Sequence, residues 1–124
     1  MAKKILITED SPTVLAIMQA ALQEEGFEVT TALDGQDALN KARAKDNLPD
    51  LIILDLMLPK IDGYKVCRML KFDDKYKHIP IIMFTARMQE ADKKLGKEVG
   101  ADAYLTKPFD PAVLISKIKE LLKI

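Results

Sequence analysis

Leu51-Ile52-Ile53-Leu54-Asp55 is the stretch on which the fold turns: an unbroken apolar run closed by an acid. A strand with one wet face alternates apolar and polar residues. A continuous run, bounded by Asn47-Leu48-Pro49 before and Pro59 after, is the pattern of a parallel strand covered on both faces. Similar runs lie on either side of it. Lys4-Ile5-Leu6-Ile7-Thr8 comes first, 27–32 alternates Phe27, Val29 and Thr31 against Glu28 and Thr30, and 79–85 and 101–105 come later. Amphipathic stretches separate the runs. Ser11-Pro12 opens the first, since Ser caps a helix and Pro suits its first position; Val14, Ile17, Met18, Ala21 and Leu22 then fall at helical spacing until Gly26. Ala38, Leu39 and Ala42 mark a second helix reaching about residue 46, after a turn at Asp34-Gly35. Val66, Met69 and Leu70 mark a third after the Asp62-Gly63 loop, 88–99 is a fourth closed by Gly100, and 111–122 is the fifth. Strand and helix in strict alternation predict an α/β fold, one doubly wound parallel sheet with helices on both faces, in a single domain over 1–124.

Composition narrows the function. The chain has 124 residues, 19 Lys+Arg against 19 Asp+Glu, and no net charge, which argues against holding nucleic acid by bulk electrostatics. The lone Cys67 makes no internal disulfide, and with a single histidine, His78, the usual structural zinc sites are excluded. No apolar run reaches the roughly 18 residues of a membrane helix, and the apolar stretch after Lys3-Lys4 is too short for a signal peptide. A soluble cytoplasmic module is expected, with no direct nucleic-acid or membrane binding.

The informative residues stand just after the strands: Glu9-Asp10 after the first, Asp55 at the end of the third, Thr85 at the end of the fourth, Lys107-Pro108 after the fifth. The carboxyl ends of parallel strands line one edge, where ligands bind, so these residues should meet in one pocket. Three carboxylates together favour a hard cation such as Mg²⁺. A carboxylate can also act as a nucleophile, and a lysine with a hydroxyl can hold phosphoryl oxygens. The set reads as a phosphoryl-transfer site.

These residues carry a resemblance to the response-regulator receiver domains of two-component signalling, over about 3–122. It rests on Thr8-Glu9-Asp10-Ser11, Leu54-Asp55-Leu56-Met57-Leu58-Pro59, Asp62-Gly63, Phe84-Thr85-Ala86 and Tyr104-Leu105-Thr106-Lys107-Pro108-Phe109. The resemblance implies a flavodoxin-like five-stranded parallel sheet in strand order 2-1-3-4-5. It implies that Asp55 is the phosphoacceptor and that Mg²⁺ is held by Asp10, by Glu9 largely through water, by Asp55 and by the backbone carbonyl of Met57. Thr85 would be the switch hydroxyl, Tyr104 the switch aromatic, and Lys107 the phosphate-binding lysine, oriented by a cis bond to Pro108. Ala86 would leave the site open, and Met57 and Arg87 stand where relatives tune hydrolysis. The chain would then be a signalling switch rather than an enzyme, with self-catalysed phosphoryl transfer and slow hydrolysis only. Its donor would be a sensor histidine kinase or phosphotransfer protein. Its output partner, protein or domain, would meet the surface made by the fourth helix, fifth strand and fifth helix. Both a stand-alone regulator and a piece of a larger one fit. Many winged-helix members carry an acid where Ala103 stands and use it to dimerise, so a monomer or a weak phosphorylation-dependent dimer is expected.

Three other readings compete. A haloacid-dehalogenase-type phosphatase needs an acid two residues after its nucleophile, where Met57 stands. A flavodoxin-like cofactor binder needs a Ser-, Thr- or Gly-rich loop after the first strand, where this chain is acidic. A degenerate receiver would lack part of the residue set, and none is missing. Cys67 and the six methionines are expected to be packing residues, His78 a surface residue, and 71–77 a solvated loop.

Overall fold

The computed structural model describes residues 2–85, 94, 97–107 and 110–124, with Thr85 described through its backbone. Ala86, Arg87, Pro108 with its peptide bond, and most of the helix expected over 88–99 lie outside the described residues.

The chain runs β1 (Lys4–Thr8), α1 (Pro12–Glu24), β2 (Glu28–Ala32), α2 (Gly35–Ala42), β3 (Leu51–Asp55), α3 (Gly63–Lys71), β4 (Ile81–Thr85) and β5 (Ala103–Thr106), and then a C-terminal helix (Pro111–Leu122). The five strands form one sheet in the order β2-β1-β3-β4-β5, every neighbouring pair parallel. All residues of β3 are buried, as its unbroken apolar run requires of the central strand. β2 is an edge strand, and its Glu-Val-Thr-Thr-Ala sequence is accordingly only partly covered. Two apolar cores lie on the two faces. One joins Leu6, Ile52, Leu54, Ile81 and Met83 to α2 and α3; the other joins Ile5, Ile7, Ile53, Ile82 and Phe84 to α1 and the C-terminal helix. Each pair of strand neighbours thus points alternate residues into opposite cores.

Local chemistry sets the helix starts. Ser11, Asp34, Asp62 and Asp110 are the N-caps, and their side chains accept from Val14, Asp37, Lys65 and Ala112 backbone N–H groups. Asp34-Gly35, expected as a turn, and Asp62-Gly63, expected as part of a loop, are therefore the cap and first residue of α2 and α3. Most other differences are at boundaries. β4 begins after Pro80, which has no N–H to give the ladder, and α2 ends at Ala42. The methionines divide: Met18 and Met83 fill the core, but Met57 and Met69 are exposed.

The register aligns the carboxyl ends. Thr8 lies beside Ala32 and Leu54, Asp55 beside Phe84, and Thr85 beside Thr106. The residues just past each strand are therefore delivered to one edge.

Candidate functional site

At that edge the backbone N–H of Glu9 donates to the Ala32 carbonyl at 3.1 Å, continuing the sheet one residue past β1. Glu9 is 0 % exposed and Asp55, the last residue of β3, 2 %; Asp10 is exposed. Carboxylate oxygens from the three lie within 4.8 Å of one another. Buried charge is costly unless partnered, and both buried acids are partnered alike. Glu9 Oε1 accepts from Ser11 N–H at 3.1 Å and Asp55 Oδ1 from Met57 N–H at 3.1 Å. The remaining oxygens face one ammonium: Lys107 Nζ lies 2.7 Å from Glu9 Oε2 and 2.9 Å from Asp55 Oδ2. The Asp55 contact is a hydrogen bond as well as an ion pair. The Glu9 contact is an ion pair only, and Oε2 accepts no hydrogen bond among the described residues. Lys107 Nζ also stands 5.3 Å from the centroid of the Phe84 ring, within cation–π range.

Among the described residues, one lysine thus stands in a cluster of three acids and pairs with two of them. Burial holds the Glu9 carboxyl above its ordinary range; the Lys107 ammonium and the Ser11 N–H pull it down, and the Asp55 charge pushes it up. Burial works against the Lys107 charge too, but the carboxylates of Glu9 and Asp55 beside it prevail and hold the ammonium above its usual value. The surplus negative charge, all on oxygen and open to water through Asp10, suits a hard divalent cation that keeps part of its hydration shell. On this donor chemistry the residues fit Mg²⁺.

The structure therefore brings Glu9, Asp10, Asp55 and Lys107 together, and Met57 joins them through its N–H. Thr85 ends β4 beside Thr106; its hydroxyl lies outside the described part of the chain. Tyr104 is not in the cluster. It is half-buried on β5, packed on the core under α2 and α3, with a buried hydroxyl that has no hydrogen bond among the described residues. Burial, then the nearby Cys67 and Asp102, raise its pKa. Sequence reasoning missed two features. Gly35 and Gly63 stand where a Cβ would strike the loop after β3. Lys71, taken for part of a solvated loop, is nearly buried in an ion pair with Asp102.

Comparison with known proteins agrees with this geometry. The family profile of the response regulator receiver domain matches residues 5–119. The chain belongs to the response regulator receiver domain family. As a receiver it is a signalling switch of two-component systems, a family whose members meet histidine kinases and output domains. It is 45% identical over 123 residues to the alkaline phosphatase synthesis transcriptional regulatory protein PhoP of Bacillus subtilis, covering 99% of this chain and 50% of that protein. The receiver thus spans about half the length of that relative. The chemotaxis protein CheY4 of Vibrio cholerae superposes with a TM-score of 0.89 at 34% identity, covering 98% of this chain and 99% of that one. The receiver domain of the sensor histidine kinase PA1611 of Pseudomonas aeruginosa superposes with a TM-score of 0.90 at 30% identity, covering 100% of both chains. That structure has a magnesium ion coordinated in its active-site cleft. Among the described residues no helix is long and apolar enough to cross a membrane.

Proposed function

We propose that this receiver takes a phosphoryl group on Asp55, with Mg²⁺ at Glu9, Asp10, Asp55 and the Met57 carbonyl, from a sensor histidine kinase or a phosphotransfer protein. The observation that carries the reading is the single Lys107 ammonium bridging two buried carboxylates beside an exposed third. Mg²⁺ bound there would supply positive charge that lets an anionic phosphoryl group approach an anionic acceptor. An Asp55 oxygen attacks phosphorus; the P–N bond of a phosphohistidine breaks, its electron pair leaves with the imidazole, and an acyl phosphate remains. Met57 N–H keeps the Asp55 carboxylate oriented. Lys107, already against Asp55, passes to the phosphoryl oxygens as they arrive. Thr85 donates its hydroxyl to the same group, and Tyr104 moves in response. That change is read by a partner at the surface of the 88–99 segment, β5 and the C-terminal helix. Hydrolysis of the acyl phosphate resets the switch slowly, so the protein signals rather than turns over a substrate. The working state is a monomer or a weak phosphorylation-dependent dimer.

The test is intact mass after incubation with acetyl phosphate and Mg²⁺. One added phosphoryl group is expected in the wild type and none in Asp55→Asn or with EDTA. Equal labelling of Asp55→Asn would overturn the assignment.

A further inference from the structure

We infer that the amino end of α2 latches the loop after β3, with Gly35 as a positioning residue for the acceptor site. The inference rests on the phosphoacceptor reading above. Residues 56–62 connect β3 to α3, and Met57 N–H, near the start of this loop, holds Asp55 Oδ1. Both ends of the loop are fixed. Gly63 N–H donates to the Leu56 carbonyl at 3.0 Å. A Cβ on Gly63 would come within 2.2 Å of the Asp55 carbonyl oxygen, so α3 starts hard against the end of β3. The middle is fixed from α2. The Pro59 carbonyl accepts from Gly35 N–H at 3.2 Å and from Ile61 N–H at 2.8 Å, closing a three-residue turn on Lys60. Lys60 has φ 68°, a left-handed conformation that a lysine adopts only when its surroundings impose it. A Cβ on Gly35 would lie 1.9 Å from the Ile61 carbonyl oxygen and 2.7 Å from its carbon. The neighbour is backbone, so no rotamer change relieves that overlap. Asp34, the α2 cap, adds an ion pair to Lys60 at 3.4 Å. Its carboxyl is held low chiefly by the Asp37 N–H, with Lys60 assisting.

With 56 and 63 pinned, displacement of 59–61 falls on Asp62 on one side and on the Met57-Leu58 segment on the other. Gly35→Ala should therefore reach the acceptor from an element that contributes no group to it. The Lys60 side chain is 68% exposed, so the ion pair is the lesser part of the latch and the close backbone approach the greater.

Mg²⁺ binding by isothermal titration tests this in four folded proteins, with thermal midpoints measured alongside. Wild type is expected to bind one ion. Gly35→Ala should weaken binding about 10-fold or more, the range for groups that orient metal ligands. Asp34→Asn keeps the cap, loses the ion pair, and should change affinity by about twofold at most. Gly26→Ala is the control. Gly26 has φ 92° and a Cβ added there would meet nothing within 4 Å, so this variant loses stability through its own backbone and should keep wild-type affinity. Equal Mg²⁺ affinity in Gly35→Ala and wild type overturns the latch. Absence of binding in wild type overturns the metal reading instead. Should Gly35→Ala not fold, wild-type amide spectra decide. Mg²⁺ is expected to shift Met57 and Gly35 together and leave Gly26 in place; a fixed Gly35 beside a moving Met57 overturns the latch.

Discussion

Two lysines tie strand ends together at opposite edges of one sheet. At the amino edge Lys71, from the end of α3, donates to the Ile79 carbonyl at 3.0 Å and pairs with Asp102 Oδ2 at 3.0 Å. The same Oδ2 accepts from Ile81 N–H at 2.8 Å, and Asp102 N–H returns a bond to the Ile81 carbonyl at 2.9 Å. One cation meets one anion and the backbone groups are satisfied. At the carboxyl edge Lys107 meets Glu9 and Asp55, with Asp10 beside them. Among the described residues the charge here is unbalanced, and Glu9 Oε2 accepts no hydrogen bond. The same residue type thus balances the charge at one edge and stands against a cluster of three acids at the other. The two sites lie at opposite edges of the sheet, the first across β4 and β5, the second across β1, β3 and β5.

The comparison breaks or sharpens under substitution. The largest effect is expected from Lys107→Met without Mg²⁺. Glu9 and Asp55 lose their shared counter-ion while buried, and unfolding free energy should fall by about 3 kcal/mol. Saturating Mg²⁺ should return much of that, since a bound cation stabilises by mass action. Urea denaturation with and without Mg²⁺ measures both. Lys71→Met should cost about 2 kcal/mol, the scale of hydrogen bonds to a charged group, and Mg²⁺ should not recover it. Were Mg²⁺ to rescue both variants equally, the contrast between the edges would be gone. The smallest effect concerns Cys67, which is buried and donates to the Val99 carbonyl at 3.5 Å. Burial pushes its thiol up to about 12, with the Lys71 charge pulling it down and Asp102 pushing it up. The unfolded thiol ionises near 9, so the native state holds its proton longer and stability is lost as pH rises through that value. Between pH 8 and 10 the loss assigned to this thiol is about 1.4 kcal/mol. It should vanish from the stability-against-pH profile of Cys67→Ala.

Much of this was legible in the sequence. The unbroken run 51–54 announced a doubly covered central strand, and acids or a lysine after strands announced the edge where they meet. Parallel register then does the assembly, because each strand end is carried to the same side. The remainder depended on distance between segments. Nothing in Asp34-Gly35 distinguishes a free turn from a helix start pressed on the Ile61 carbonyl, since backbone proximity leaves no periodicity. Lys71 sits among lysines and aspartates that look solvated, and only the approach of Asp102, 31 residues on, makes it a clamp. Tyr104 was expected as the switch aromatic from the resemblance alone, but its place on the core under α2 and α3, with a buried hydroxyl that has no hydrogen bond among the described residues, was not legible.

The most direct test of the unbalanced edge is Mg²⁺ titration of wild type beside Asp10→Asn. Asp10 is exposed and makes no ion pair to Lys107 among the described residues, so its loss should spare the fold. One saturable site is expected in wild type, weakened about 10-fold or more in Asp10→Asn. Saturable binding of equal affinity in the two proteins, or none in either, would contradict a carboxyl edge built to be completed by a cation.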